Sequence, residues 1–179
     1  MLFYLAPMEG ITGYIVRNAY AHYFPYIDKY FTPFIPAAKK MSKKIKRDLA
    51  AENNGRIRLV PQLIGNRADE FLMMIRQLED LGFTSVNLNF GCPSGTVVSK
   101  RKGAGFLEEP EELEMLLEEV LENSPLAVSV KTRVGIKDPD EWEALCGVYA
   151  KFPLEELIIH PRLQIDYYSG TPRMETFAR

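Results

Sequence analysis

The sequence has no apolar run approaching the roughly 18 residues a membrane-spanning helix needs, which excludes a helical membrane protein. Its first residues, MLFYLAPMEG, carry neither the basic flank nor the small-residue cleavage site of a secretory signal, so a cytoplasmic location is expected. Cysteine is scarce. Cys92 lies in a Gly-Cys-Pro turn and Cys146 inside a helical pattern, a setting that suits a reducing compartment and excludes a disulfide framework. Internal repeats, low-complexity stretches and Pro/Gly/Ser-rich linkers are also missing, so nothing divides the chain into several domains. With 46% hydrophobic and 26% charged residues over 179 positions, it has the composition of one globular domain rather than of a disordered chain.

The formal net charge of −2 argues against a nucleic-acid partner only until its distribution is read. Residues 1–60 hold ten Lys/Arg against four Asp/Glu, and residues 61–179 hold twelve against twenty. Most of the positive end is Lys39, Lys40, Lys43, Lys44, Lys46 and Arg47; the negative end is dominated by the Glu-rich stretch 108–122. Either run can simply be a solvated helix face.

Short apolar runs rich in β-branched and aromatic residues alternate with longer segments of helical period, the signature of βα units around a parallel sheet. Strands are expected at 3–7, 28–32, 58–64, 84–89, 126–131 and 156–160, with Gln62, Asn89, Lys131 and His160 at or near strand tips. In the segment 110–122, Leu113, Leu116, Leu117, Val120 and Leu121 fall on one stripe and glutamates on the other face. Asn66 and Asp69 suggest a capping box, and Asp138-Pro139-Asp140-Glu141 a helix starting near 139. Six βα units close either as an open doubly wound sheet or as a barrel. The first strand runs into APMEGITG rather than the G-x-G-x-x-G of a dinucleotide-binding sheet. Polar residues at successive strand ends converge on one mouth in a barrel. The expected fold is therefore α/β, a (β/α)8 TIM barrel.

Six segments, LAPMEGITG at 5–13, VPQL at 60–63, NLNFGCP at 87–93, KGAGF at 102–106, VKTRVG at 130–135 and IIHPR at 158–162, resemble in order the signature segments of the tRNA-dihydrouridine synthase family. The resemblance implies an oxidoreductase that uses FMN and NAD(P)H to reduce a specific uridine in tRNA to 5,6-dihydrouridine. It implies Cys92 as the acid that protonates the uracil ring, Lys131 and Gln62 on the flavin, Pro7 and Met8 beneath its ring, and His160 near the cofactor. Asn89 is implied as a substrate contact and Arg162 as a group approaching phosphate or substrate; Arg101 and Lys102, basic residues beside the glycines of KGAGF, suit contacts with tRNA phosphate. The chemistry is consistent: reducing the C5–C6 double bond takes a hydride at one carbon and a proton at the other. A lysine closing an apolar strand needs an anion, and amides can donate and accept at the edge of a flavin or uracil. Other readings remain for the single residues: a small buried side chain for Cys92, a salt bridge for Lys131, a structural histidine for His160 as for His22, and a solvated basic turn for 101–102. No metal site is expected.

Two departures from the family pattern stand out. The sixth strand ends in His-Pro-Arg where many members read His-Gly-Arg, which stiffens the backbone before Arg162. A complete barrel takes about 250 residues, so the 179 residues are expected to form six of its eight units. The last two strands and the tRNA-gripping helical domain would then be absent, flavin binding weak, and the exposed strand edges prone to self-association. Two other functions fit parts of the pattern: a flavin barrel acting on free pyrimidines, and a non-catalytic remnant that binds RNA through residues 39–47.

Overall fold

Two prolines shape the first half of the sheet. The computed structural model describes residues 1–55 and 57–178. The second strand segment splits into β2 (Lys29–Phe31) and β3 (Ile35–Pro36) around Pro33, and the third into β4 (Leu59–Val60) and β5 (Gln62–Ile64) around Pro61. Proline has no N–H to give a ladder, so pairing breaks at both positions. The backbone is carried across the break by Thr32, whose Oγ1 accepts from Gln62 N at 2.9 Å. The other segments are β1 (Tyr4–Leu5), β6 (Ser85–Phe90), β7 (Ala127–Arg133) and β8 (Leu157–His160). β6 and β7 run one and two residues beyond their expected ends, so Lys131 lies within β7 and Arg133 closes it.

Every pairing is parallel, and each segment pairs with its neighbour in sequence: β1 with β2, β2 with β4, β3 with β5, then β5, β6, β7 and β8 in turn. A doubly wound sheet reverses its strand order once; this one does not, so it winds in one direction as a (β/α) barrel does. It also curls. Tyr4 Oη, at the start of the first segment, donates to Glu156 Oε1 just before the sixth at 2.6 Å, and the Lys29 ammonium meets the same carboxylate at 2.7 Å. The fold is six consecutive segments of the barrel.

The helices lie outside: α1 (Tyr14–Tyr23), α2 (Lys43–Leu49), α3 (Ala51–Asn54), α4 (Ala68–Asp80), α5 (Gly95–Val98), α6 (Pro110–Asn123), α7 (Glu141–Tyr149) and α8 (Met174–Phe177). Proline at its first position starts α6 without cost, and Leu113, Leu116, Leu117 and Val120 form its buried stripe as expected. Two helix starts differ from expectation. Asn66 does not cap α4; its Nδ2 donates to Lys100 O, while Asp69 accepts from Arg67. α7 starts two residues later than expected because the Glu141 carboxylate turns back to accept from Lys137 N and Asp138 N, holding 136–138 in a turn.

The apolar core lies between sheet and helices, not inside the barrel. Val86, Leu88, Phe90, Val128 and Val130 pack outward against Phe71, Ile75, Leu113 and Leu117. Strand side chains alternate faces, so the residues between them point inward: Asn87 beside Ser129, and Asn89 beside Lys131. Burial of each large apolar side chain contributes about 1.5–3 kcal/mol, so the outer layer holds the fold and leaves the interior free to be polar.

Candidate active site

The inward residues build a layered hydrogen-bond network. Asn87 Nδ2 donates to Ser129 Oγ at 3.0 Å, and Gln62 Nε2 donates to Asn87 Oδ1 at 2.7 Å. One layer higher, Asn89 Nδ2 donates to Gln62 Oε1 at 2.7 Å, and Asn89 Oδ1 accepts from both Gly91 N and Cys92 N, at 3.0 and 2.9 Å. The two family-implied amides therefore spend most of their capacity on the protein. Gln62 aims Asn89, and Asn89 shapes the turn that presents Cys92.

Above this network opens a cavity of about 670 Å³, lined by Pro7, Met8, Gln62, Asn89, Cys92, Lys131 and His160, with Glu9, Arg133 and Tyr168 beside them. Seven of the ten expected site residues thus share one opening. Arg101, Lys102 and Arg162 are not among its lining residues. Arg101, at φ 51, turns its guanidinium to Glu112 on α6 at 3.0 Å. Arg162 donates to Ser169 O and Gly170 O and so braces the loop after β8.

The glycines of KGAGF admit protein rather than ligand. A Cβ on Gly103 would lie 2.8 Å from Cys92 O, and one on Gly105 2.8 Å from Val98 O. Ala104 N donates to Cys92 O at 3.0 Å, so this segment buttresses the cysteine turn from behind.

Burial and charge set the protonation of the cavity. Burial pushes the Cys92 thiol up from its ordinary value and the Glu9 carboxylate adds to this, against the opposing pull of the Ser94 amide, Arg133 and Lys131. The thiol is protonated at neutral pH. Burial, then repulsion from Arg133, lowers Lys131, and its ammonium has no hydrogen-bond or ion-pair partner among the described residues. The salt-bridge reading of Lys131 is thereby removed. His160 is held down to about 4 by burial and by Arg133, Lys131 and Arg162. Its Nε2 lies 2.9 Å from Arg162 Nη1, and a guanidinium can only donate, so the neutral ring accepts there and carries its proton on Nδ1.

Arg133 escaped the sequence reading. It is fully buried, and donates to Gly91 O at 2.8 Å, Leu163 O at 2.8 Å and Tyr167 O at 2.6 Å, tying the cysteine turn to the loop after β8. That loop places the Tyr168 ring beneath its guanidinium, 5.5 Å away, and stacked against His160. The signal was present: two residues beyond Lys131 in a strand means the same face. Tyr168 and Glu9 had no such signal, since both sit on loops.

Parallel strands that wind in one direction and curl, with polar groups gathered around an opening, define a barrel of the (β/α) type. The chain belongs to the dihydrouridine synthase family, whose model matches residues 4–177. A probable tRNA-dihydrouridine synthase of Staphylococcus epidermidis is 30% identical over 163 residues, covering 89% of this chain and 49% of the relative. A tRNA-dihydrouridine(16) synthase of Pseudomonas putida is 30% identical over 186 residues, covering 98% of this chain and 57% of the relative. The chain thus spans about half the length of these relatives. The carboxyl transferase domain of Rhizobium etli pyruvate carboxylase shares the fold, with a TM-score of 0.55 at 12% identity over 83% of this chain and 23% of that one. No helix among the described residues is long and apolar enough to cross a membrane.

Proposed function

We propose that this chain carries the FMN site of a tRNA-dihydrouridine synthase, at which a uridine of tRNA is reduced to 5,6-dihydrouridine with NAD(P)H as reductant and Cys92 as proton donor. The observation that carries the reading is that Cys92 and Lys131, the latter with no hydrogen-bond or ion-pair partner among the described residues, line one cavity. A reduced flavin supplies hydride and negative charge, and the donor set fits such a group. Lys131 and Arg133 are two cations in a buried setting, and the cavity lies within the roughly 300–1,000 Å³ of small-molecule sites.

The chain's own residues do the rest. Lys131 would hold the anionic edge of the ring system, with Gln62 and His160 beside it and Pro7 and Met8 forming its apolar bed. Asn89 and Arg133 hold the Gly91–Cys92 peptide from its two ends, through Cys92 N and Gly91 O, which orients the turn that carries the sulfur. As Cys92 gives its proton to the ring carbon, the thiolate left behind faces Lys131 and Arg133, which lower its cost. Solvent protons then restore the thiol. Arg101, Lys102 and Arg162, outside the cavity, are assigned to contacts with the polynucleotide rather than with the reacting base.

Titration of this chain with FMN, followed by flavin fluorescence, tests the reading. Lys131→Met should weaken binding at least about tenfold, the effect of removing one charge-assisted hydrogen bond of roughly 1.5–3 kcal/mol. Cys92→Ala should bind FMN as the parent does and lose uridine reduction with tRNA and NADPH. Absence of FMN binding by the parent chain, or unchanged reduction by the alanine variant, would defeat the proposal.

A further inference from the structure

On the outer layer, α2 and the turn before it carry Lys39, Lys40, Lys43, Lys44, Lys46 and Arg47, a basic surface open to solvent. None of the six side chains meets a carboxylate or any other partner among the described residues. Elsewhere on the surface Arg58, Arg67, Arg101, Lys151 and Arg173 each do.

Lys46 and Arg47 stand in the last turn of α2, where the helix dipole favours cations, but the other half of the placement works against the helix. Lys43 and Lys44 occupy the first turn, which has no acidic residue, although the helix dipole favours negative charge there by about 0.3–1 kcal/mol per group. Lys43 lies three and four residues from Lys46 and Arg47, spacings at which like charges repel. The one carboxylate of α2, Asp48, faces inward and relieves none of this. Its Oδ1 accepts from Tyr14 N at 2.8 Å and its Oδ2 from Arg17 Nη1 at 3.0 Å.

The same inward contacts fix the basic surface relative to the cavity. Arg17, with no exposed surface, also donates to Thr12 O at 2.8 Å, and Thr12 Oγ1 brackets Met8, accepting from its N–H at 2.8 Å and donating to its carbonyl at 3.1 Å. Met8 lines the cavity. Asp48, Arg17 and Thr12 are therefore the links between α2 and the Met8 wall of the cavity.

We infer that the surface formed by Lys39, Lys40, Lys43, Lys44, Lys46 and Arg47 binds the phosphate backbone of the RNA whose base enters the cavity. The inference rests on the proposed RNA substrate. A polyanion supplies the negative charge this surface lacks.

The test compares the parent chain with a variant carrying glutamine at all six positions, by binding to an unmodified tRNA transcript at several salt concentrations. Removing one lysine–phosphate or arginine–phosphate pair lowers the slope of log affinity against log salt by about 0.7–0.9, so the sixfold variant should show a slope shallower by at least about 2. Its FMN binding should match the parent's, and its thermal midpoint should hold or rise as the repulsion is relieved. If the sixfold variant fails to fold, two triple variants, 39/40/43 and 44/46/47, should each show part of the decrease in slope.

An unchanged slope in a folded variant overturns the inference while leaving the flavin site standing, and so does a parent chain that binds FMN but not the transcript. A shallower slope in a protein that binds no FMN supports the surface and sinks the flavin reading instead. Retention of the parent on phosphatidylserine vesicles more tightly than on the transcript would assign the surface to a membrane and overturn the inference.

Discussion

Single residues in the cavity are tuned by their neighbours more than by their own chemistry. His160 is the clearest case, since burial first and then three nearby cations hold it neutral, down to about 4 against an ordinary 6.5. The unfolded chain takes up that proton near 6.5, whereas the folded chain refuses it until about 4. The unfolded state therefore binds more protons across this window, and stability falls as pH drops through it. Chemical denaturation at a series of pH values should show this decline, and His160→Gln should flatten it relative to the parent. Equal pH dependence in the two proteins would refute the neutral assignment. Arg133 is the complementary case. A charge buried to this degree is tolerated because three carbonyls accept from it, and its presence beside Lys131 makes both cations receptive to an anion.

At the scale of elements, the cysteine turn depends on a second segment packed behind it. Gly103 takes a φ of 55, which favours glycine, and leaves no room for a side chain against Cys92. Gly103→Ala is expected to destabilise the protein by about 1–3 kcal/mol, the scale of one strained backbone position. It should also loosen the turn, so that Cys92 reacts faster with a maleimide, as read by peptide mass spectrometry. Unchanged labelling and an unchanged unfolding midpoint would show that the segment gives no support. The helices were readable at this scale because α6 shows its period and its starting proline openly. The starts of α4 and α7 were not, because Asn66 and Glu141 found tertiary or backward partners that local spacing does not reveal.

For the molecule as a whole, the strands form two parallel sheets, β1-β2-β4 and β3-β5-β6-β7-β8, with β1 and β8 as outer strands. Leu2 and Phe3 lie exposed beside β1, and Tyr20, Tyr23, Phe24 and Tyr26 form an exposed aromatic group after it. Open strand edges flanked by apolar surface recruit other strands. The isolated chain is accordingly expected to self-associate, with a sedimentation coefficient that rises with protein concentration. A concentration-independent monomer would overturn that expectation.

The sequence by itself determined the alternation of strands and helices, the parallel winding and part of the lining of the opening, because each is written in local period or in contiguous motifs. Seven of the expected site residues share the cavity for that reason. Only the tertiary structure decided how those residues are spent. Gln62 and Asn89 brace the cysteine turn, Arg133 locks two loops, Arg101 turns away to Glu112, and Lys131 is left without an anion among the described residues. Hydrogen-bond partners 25 to 42 positions apart are set by strand register and burial, and neither quantity exists in a chain before it folds.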